Sequence, residues 1–182
     1  MNDPAPGVRF PDDEWVAGAD GRRRRSAGRV LLVLDGRVLL LAGHEPDVPA
    51  VHFWWTPGGG ITPGESARGA AVRELREETG LIVTESELVG PVATWDNAFT
   101  YLGRPVRQQD AFFLCTAVPT VGDSAWTPLE GHTLEGTRWV PVSEVRLLTD
   151  PVYPPDLPDL LERVVTGWDG TVHRFGPSPE DR

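Results

Sequence analysis

Two short apolar runs open the regular part of the chain. Residues 30–34 and 38–42 are almost wholly apolar, and the dipeptide Asp35-Gly36 lies between them. Both central residues of a type I′ turn need positive φ, a conformation that Asp-Gly readily adopts. The pattern therefore predicts two strands joined by a tight β-hairpin.

Further apolar stretches predict a mixture of strands and helices along the rest of the chain. We expect strands near 53–55, 81–83, 91–101 and 107–118, and a short strand within GTRWVPV that ends at Pro141. Polar segments at 43–52 and 119–133 are predicted to be loops. Ser143 is a candidate cap for a short helix, and helical apolar spacing predicts another helix near 156–165.

These elements suggest three parts of one unit. Residues 1–25 are rich in Pro, Gly and Asp and lack apolar periodicity, so we interpret them as an extended arm that Phe10 and Trp15 could attach to the body. The main domain is predicted at 26–150. Residues 151–182 are predicted to form a C-terminal helix and a loose tail packed on the same domain.

The composition is that of a single globular domain. With 182 residues, 40% of them hydrophobic, the chain is long enough for a proper core. No apolar run approaches the length of a membrane span, and the first 25 residues lack the apolar stretch of a signal peptide. The single cysteine, Cys115, rules out an intramolecular disulfide and lies mid-strand, where a core role is expected. We therefore expect a cytoplasmic protein without membrane partners.

The charge limits the possible partners. The net charge is -10, from 27 acidic and 17 basic residues. An acidic chain is poorly suited to binding a nucleic-acid polymer, because neutralising phosphates requires a basic surface. It still permits a small phosphorylated ligand that is held through a metal ion. The basic block at 22–25 is interpreted as a solvated segment before the first strand.

A glycine-rich loop and a helix follow the third predicted strand. The segment 57–60, Pro-Gly-Gly-Gly, is unsuited to the interior of a helix or strand and predicts a loop that can approach a ligand closely. The helix is predicted to begin near Glu65 and Ser66 and to end at Thr79. Gly80 then supplies the left-handed cap.

Three carboxylates converge on this helix. At about 100° per residue, Glu74, Glu77 and Glu78 share one arc, although like charges at these spacings repel one another. Arg73 precedes Glu77 by four residues and can offset part of this repulsion. Magnesium and manganese prefer carboxylate oxygens and bridge phosphates, so the arc is either a metal site or a solvated helix face.

The spacing of the segment distinguishes these two interpretations. It reads Gly-x5-Glu-x7-Arg-Glu-aliphatic-x-Glu-Glu-x-Gly-aliphatic, with Gly59, Glu65, Arg73, Glu74, Leu75, Glu77, Glu78, Gly80 and Leu81 at the specified positions. In all of these positions the chain resembles the Nudix hydrolases of the MutT type. The resemblance implies an α/β fold, an α/β/α sandwich around a mixed β-sheet.

The resemblance also implies an activity. Nudix hydrolases cleave a nucleoside diphosphate linked to another group, by attack of water on phosphorus, so a nucleotide sugar, an ADP-ribose-like compound or a modified nucleoside triphosphate is the expected substrate. A Mg²⁺ (or Mn²⁺) ion is expected, with ligands at Glu74, Glu77, Glu78 and the Gly58 carbonyl oxygen. Glu65 would support the metal site, and Arg73 would orient the carboxylates.

The resemblance leaves the general base open. Within the motif, Glu74 or Glu78 could accept the proton from water. A carboxylate from a later loop could also do so, and Glu130 and Glu135 are the candidates in this chain. Three other polar side chains, His44, His52 and His132, lie in predicted loops and are interpreted as surface histidines.

The substrate itself is not predicted. Trp54, Trp55, Trp95, Phe99 and Tyr101 could stack on a base, and Trp55, Phe99 and Tyr101 are the chosen candidates. In the window where some Nudix subfamilies carry a proline or tyrosine marker, the chain has Asp96, Asn97, Ala98 and Phe99. A monomer or homodimer is expected.

Two other functions stay open alongside hydrolysis. The first is a Nudix domain that only senses a nucleotide, against which the intact set of glutamates argues. The second is an isopentenyl diphosphate isomerase, which shares a related motif but needs a cysteine in a loop before it. The lone Cys115 lies well after the motif.

Overall fold

The computed structural model describes residues 15–18, 21–46 and 48–176, so the predicted role of Phe10 lies outside the described residues. The strands in this part of the chain are β1 (Val16–Ala17), β2 (Arg23–Leu34), β3 (Arg37–His44), β4 (His52–Trp55), β5 (Gly58–Gly60), β6 (Leu81–Ile82), β7 (Val89–Tyr101), β8 (Arg104–Cys115), β9 (Thr120–Val121), β10 (Leu134–Pro141), β11 (Val152–Tyr153) and β12 (His173–Phe175). The helices are α1 (Ala67–Thr79), α2 (Glu130–Thr133) and α3 (Leu157–Val164), with 3-10 turns at Glu85–Glu87 and Val142–Leu147.

Most strands join one mixed sheet in the order β11-β4-β3-β2-β8-β7-β12. At its centre β2 and β8 run parallel, in continuous register from Arg23 opposite Val106 to Leu32 opposite Cys115. Strand β7 runs antiparallel to β8, β10 pairs with β3, and β5 pairs with β2. The long parallel pairing makes β2 and β8 the frame on which the other elements are placed.

Helices cover both faces of the sheet. On one face Val30 of β2 lies in the same apolar cluster as Leu75 of α1. On the other, Leu31 lies in a cluster with Leu161 of α3. Successive side chains of a strand point to opposite faces, so this alternation buries β2 between two helical layers. The predicted α/β/α sandwich around a mixed sheet is confirmed.

The hairpin after β2 also follows the prediction. Asp35 and Gly36 have φ values of 48° and 70°, and Val33 faces Val38 across the turn. Strand β2 begins at Arg23, however, well before the predicted 30. The interpretation of residues 22–25 as a solvated flank is therefore wrong for the part from Arg23 onward. Its arginines pair with β8 through the backbone, which an apolar pattern does not reveal.

The glycine segment differs from the prediction as well. Residues 58–60 form β5 and pair antiparallel with Ala27, Gly28 and Arg29 of β2. A strand without side chains is possible here because backbone hydrogen bonds hold it in place. A Cβ on Gly59 would lie 2.4 Å from the Glu74 carboxylate carbon, so the helix side of this strand has no room for a side chain.

Smaller differences concern the loops and the C-terminal part. Ser143 does not cap a helix, because the 3-10 turn at Val142–Leu147 begins after Pro141 without a side-chain cap. The predicted loop 119–133 contains β9 and α2. In the predicted tail, β12 pairs in parallel with β7, with Phe175 opposite Trp95. The boundaries proposed for arm, domain and tail stay predictions.

Cys115 lies where the sequence placed it. Its side chain is fully buried in the apolar cluster beneath α1, and burial raises the pKa of the thiol. A thiol held protonated is a poor nucleophile, so its role is packing. Within the described ranges, no helix has the length and apolarity needed to cross a membrane.

The close approach of α1 to β2 depends on Gly28. A Cβ at this position would lie 1.9 Å from the Ala67 carbonyl oxygen, and backbone atoms on both sides leave little room for adjustment. We expect Gly28→Ala to lower the free energy of unfolding by about 3 kcal/mol, measured by urea denaturation. Gly131→Ala is the control, since a Cβ there meets open space. Equal stability of the two variants would contradict this account.

Candidate active site

Helix α1 is capped at both ends, by Ser66 at its start and by Gly80 at its end. The Ser66 hydroxyl accepts a hydrogen bond from the Gly69 N–H at 2.9 Å, which caps the first turn. Gly80 adopts φ 73°, and its N–H donates to the Arg76 carbonyl at 2.8 Å. The predicted helix and its Gly80 cap are confirmed. Since its apolar face packs on β2, the helix places Glu74 and Glu78 at the edge next to β5.

Arg73 binds four partners through one guanidinium group. It donates to both carboxylate oxygens of Glu65, at 2.9 and 3.0 Å, and to the Gly60 carbonyl at 2.8 Å. Its Nη1 donates to Glu74 at 2.7 Å and to Glu77 at 3.0 Å. These contacts raise the pKa of Arg73 and hold three carboxylates in place. The predicted orienting role of Arg73 is consistent with this geometry.

Glu65 is held from two directions. Besides the fork to Arg73, its Oε2 accepts from the backbone N–H and the hydroxyl of Thr62, both at 3.1 Å. The Arg73 hydrogen bonds, followed by those of Thr62, lower the pKa of Glu65 despite its partial burial. Glu65 is therefore an ionised anchor for Arg73.

Three other carboxylates converge beside this anchor. Oxygen atoms of Glu74, Glu78 and Glu130 all lie within 4.8 Å of one another. Glu74 and Glu78 are buried, and Glu78 accepts a hydrogen bond from the Gly58 N–H at 2.8 Å. Carboxylate oxygens at this separation are suited to a hard divalent cation.

A loop docked on the end of α1 brings Glu130 to the group. The Ala125 N–H donates to the Glu77 carbonyl and the Trp126 indole N–H to the Glu78 carbonyl, both at 2.8 Å. These carbonyls are the ones that a helix end leaves without internal partners. The Thr127 N–H then donates to the Glu130 carboxylate at 2.6 Å, which orients α2.

Burial dominates the electrostatics of the group. It raises the pKa of Glu74 to about 7, although the Arg73 charge and hydrogen bond act in the opposite direction. Burial raises the pKa of Glu78 well above its usual range, and the charge of Glu74 raises it further. Each carboxyl therefore holds a proton more tightly than in water unless a cation lies nearby.

A buried ion pair between Arg29 and Asp110 lies next to the start of the glycine strand β5. Arg29 donates to the Thr56 carbonyl at 3.1 Å and to the Gly58 carbonyl at 3.2 Å. On its other side it donates to Asp110 Oδ1 at 2.5 Å, and Gln108 donates to the same oxygen at 2.8 Å. The Gly58 N–H in turn donates to the Glu78 carboxylate. This series of hydrogen bonds therefore links β8 to the converging carboxylates.

Two predicted site residues lie apart from the group. Glu77 pairs with Arg73 and is partly exposed, so it lies beside the three converging carboxylates. Glu135 lies 3.3 Å from His52 Nδ1, at the exposed end of β4. Of the two later carboxylates considered as a base, the structure brings Glu130 to Glu74 and Glu78.

The aromatic candidates fall into two groups. Trp55 packs on Phe53 at 4.9 Å, and Tyr153 lies between Phe53 and Trp95 at 5.6 and 6.3 Å. This first group lies on β4, β7 and β11, and β4 precedes the glycine strand in the chain. The sequence did not reveal the place of Tyr153 in this group, because β11 has no apolar pattern long enough to predict a strand.

The second aromatic group lies at the far ends of β7 and β8. The ring of Phe99 lies 6.2 Å from that of Tyr101, which stacks on Trp15 at 5.9 Å. The guanidinium of Arg25 lies 4.5 Å from the Trp15 ring centroid. Phe99 and Tyr101 thus have packing partners of their own, separate from Trp55.

A profile described as NUDIX domain matches residues 22–161, which is most of the chain. The chain belongs to the Nudix hydrolase family. This membership places it among the pyrophosphohydrolases, as the motif predicted.

Similar proteins and structures agree with this membership. An RNA pyrophosphohydrolase of Rhodopseudomonas palustris (strain BisB18) is 35% identical over 159 residues, which is 78% of this chain and 85% of that protein. One from Dinoroseobacter shibae is 42% identical over 72 residues, 40% of this chain and 43% of the relative, so that match spans less than half of the relative. A MutT protein from Bacillus halodurans superposes with a TM-score of 0.59 at 23% identity, over 87% of this chain and 93% of that one, and shows the Nudix fold.

The ion pair beneath the Nudix motif has a direct test. Asp110→Asn keeps the side-chain shape but removes the negative charge that Arg29 faces, and Asp110 is fully buried. Leaving a buried charge without its partner costs several kcal/mol, so we expect a loss of about 3 kcal/mol in the free energy of unfolding. The measurement is chemical denaturation.

Asp96→Asn is the matched control for this variant. It breaks the Asp96–Arg107 pair, whose side chains are 41% and 43% exposed. An exposed pair contributes less than about 1 kcal/mol. Equal losses in the two variants would show that the Arg29–Asp110 pair has no special structural role.

The raised pKa values predict a pH dependence for the metal-free protein. Glu74 and Glu78 bind protons more tightly in the folded than in the unfolded chain, so their contribution to stability is present at low pH and lost as pH rises through the folded pKa. Glu65 does not contribute to this change, because its pKa is lowered and it stays ionised as the pH rises. A tenfold difference in proton affinity between the folded and unfolded chain corresponds to about 1.4 kcal/mol of stability. We expect the melting temperature to fall between pH 5 and pH 8 in a chelating buffer.

Glu74→Gln should reduce that fall, because glutamine has no proton to lose. Its melting temperature should exceed that of the wild type at pH 8 and differ less at pH 5. Glu144→Gln, at an exposed position, should behave like the wild type. An identical pH profile in all three proteins would be evidence against the burial of a titrating carboxyl at Glu74.

Proposed function

We propose that this chain hydrolyses the pyrophosphate bond of a nucleoside diphosphate linked to another group, with Mg²⁺ or Mn²⁺ as cofactor. The observation that carries the proposal is the convergence of Glu74, Glu78 and Glu130 within 4.8 Å. Glu74 and Glu78 are buried, a costly arrangement that a bound cation would stabilise.

The residues present fit a hard divalent cation. Their donor atoms are all carboxylate or carbonyl oxygens, which magnesium and manganese prefer. Glu74 and Glu78 would hold the ion, with Glu77 and the Gly58 carbonyl oxygen as the further ligands proposed from the motif. The absence of a side chain at Gly59 leaves room for the Glu74 carboxylate, since a Cβ there would lie 2.4 Å from the carboxylate carbon. When bound, the cation would neutralise phosphate charge and polarise the phosphorus–oxygen bonds.

The remaining groups position these carboxylates and move a proton. Arg73 fixes Glu74 and Glu77, and Glu65 fixes Arg73. Glu130 is our candidate for the general base, because it lies against Glu74 and Glu78 but comes from a different element. It would accept the proton of the attacking water, and the Thr127 N–H would hold its carboxylate in place.

The proposed substrate is a small nucleotide. Trp55 is the favoured stacking partner for its base, because β4 leads directly into the glycine strand beside the carboxylates. Phe99 and Tyr101 are retained as weaker candidates, since Tyr101 already stacks on Trp15 and Phe99 packs on Tyr101. The proposed setting is the cytoplasm, and the proposed assembly is a monomer or homodimer.

The 5′ end of an RNA is a second candidate substrate. It is favoured by the similarity to proteins named RNA pyrophosphohydrolase. A terminal triphosphate presents the same bond to the site. The net charge of -10 disfavours extended contact with the RNA backbone, so only the terminal nucleotides would be held.

A substrate panel distinguishes these candidates. It contains nucleoside triphosphates, nucleotide sugars, ADP-ribose and a short 5′-triphosphorylated RNA, each with Mg²⁺ or Mn²⁺, and the released phosphate products are measured. We expect turnover of a small nucleotide with little dependence on salt. Preference for RNA, with a rate that falls as salt rises, would favour the second candidate. Binding without turnover of any compound would instead indicate a sensing domain.

Substitutions separate the metal ligand from the base. A positioned general base contributes roughly 100- to 10,000-fold, so Glu130→Gln should lower kcat by at least about 100-fold. Its gain in melting temperature on adding Mg²⁺ should be largely retained. Glu78→Gln should lose both turnover and most of that gain, because a ligand charge is removed. Glu77→Gln should also lose most turnover.

Glu135→Gln is the control for these variants, since Glu135 is an exposed residue of β10 that faces His52. It should keep the wild-type rate. Wild-type rates in Glu77→Gln and Glu78→Gln would remove the metal assignment. A wild-type rate in Glu130→Gln would return the role of base to a glutamate of the motif.

A further inference from the structure

Residues 120–127, the docking segment, cross the C-terminal end of α1 before the chain reaches α2. The segment begins as β9, in which Val121 lies opposite Leu81 of β6. The Gly122 N–H then donates to the Gly80 carbonyl at 2.7 Å. A Cβ on Gly80 would lie 2.7 Å from the Gly122 carbonyl oxygen. The docking segment is therefore in close backbone contact with the residue that ends the helix.

Two further hydrogen bonds attach the docking segment to α1. The Ala125 N–H donates to the Glu77 carbonyl, and the Trp126 indole N–H donates to the Glu78 carbonyl, both at 2.8 Å. Together with the Gly122 bond, these satisfy carbonyls that a helix end leaves without internal partners. Of these three hydrogen bonds, the Trp126 bond alone comes from a side chain. A substitution can therefore remove it without changing the backbone.

Trp126 directly precedes the residue that holds Glu130. The Thr127 N–H donates to the Glu130 carboxylate at 2.6 Å, and the Thr127 hydroxyl accepts from the Glu130 N–H at 3.2 Å. Two neighbouring residues thus bind two different helices, since Trp126 contacts the end of α1 and Thr127 contacts the start of α2. A displacement of Trp126 would move the Glu130 carboxylate relative to Glu74 and Glu78.

Burial contributes little to the position of this part of the docking segment. Residues 121–128 are all exposed, and the Trp126 side chain retains 46% of its accessible surface. A side chain this exposed gains only part of the transfer free energy of a buried tryptophan. The hydrogen bond to Glu78 is therefore the directional contact that fixes the indole, and it joins the segment to a residue of the carboxylate group.

We propose that Trp126 is a positioning residue, whose indole N–H holds Glu130 beside Glu74 and Glu78. Its effect on turnover rests on the proposed function, in which Glu130 is the general base. Its effect on the position of Glu130 does not depend on that function. Without the indole N–H, the backbone bonds of Gly122 and Ala125 would keep the docking segment near α1, but its end next to α2 would move more freely.

A double-mutant cycle tests the effect on turnover. Trp126→Phe keeps an aromatic ring and removes the donor. One hydrogen bond contributes about 0.5–1.5 kcal/mol, so kcat should fall roughly 2- to 12-fold. In the Glu130→Gln protein the same substitution should have no further effect, because the base that Trp126 positions is absent. Trp168→Phe is the matched control, since its indole N–H also donates to a carbonyl, that of Thr171 at 2.7 Å, in the segment after α3.

Hydrogen–deuterium exchange tests the position of α2 without substrate or turnover. The amides of Gly131, His132 and Thr133 donate to carbonyls at the start of α2, so their exchange reports opening of this segment. Trp126→Phe should accelerate their exchange roughly 2- to 12-fold, whereas Trp168→Phe should exchange like the wild type. Circular dichroism checks that each variant is folded.

The two measurements separate failure of this proposal from failure of the proposed function. A wild-type rate in Glu130→Gln would remove Glu130 as the base, and exchange alone would then decide the role of Trp126. Faster exchange in Trp126→Phe, with a fall in kcat that disappears in the Glu130→Gln protein, would support the proposal. Unchanged exchange would overturn it. An equal fall in kcat in both backgrounds, or a wild-type kcat in Trp126→Phe where Glu130→Gln is impaired, would also overturn it.

Discussion

Two buried carboxylates side by side are the constraint around which this site is built. Glu74 and Glu78 lie at the edge of α1 where burial and mutual repulsion oppose their ionisation. Arg73 acts on Glu74 by charge and hydrogen bonds, and Arg29 acts on Glu78 by charge from the opposite side. The anchors Glu65 and Asp110 in turn fix these arginines. Asp110 is fully buried, so its removal leaves the Arg29 charge in a place where water cannot replace the lost interaction.

Glycine makes this arrangement geometrically possible. At Gly28 the backbone of β2 contacts the first turn of α1, and at Gly59 the backbone of β5 contacts the carboxylate of Glu74. Gly58, at φ 143°, turns its N–H toward Glu78 while its carbonyl accepts from Arg29. The helix therefore presents its carboxylates directly to a backbone, and this closeness excludes the water that would otherwise solvate them.

The sequence predicts contacts between residues that are close together along the chain. It does not predict contacts between residues that are far apart along the chain. The caps, the arc of glutamates and Arg73 lie within one helix, so spacing along the chain locates them. Arg29 and Asp110 are 81 positions apart and meet only because β2 and β8 pair in a particular register. A signal was present, since each is a charged residue at the start of an apolar run. The register that joins them is set by the whole sheet, which no local pattern reports.

The three converging carboxylates lie on helices of different stability. Glu74 and Glu78 project from a helix of thirteen residues whose apolar face packs on the sheet, so their positions are set by folding. Glu130 lies in a helix of four residues, which has little stability of its own. Its place depends on the hydrogen bonds of Ala125 and Trp126 to the end of α1. The part of the site with the fewest local constraints is therefore the part best able to adjust when a substrate enters.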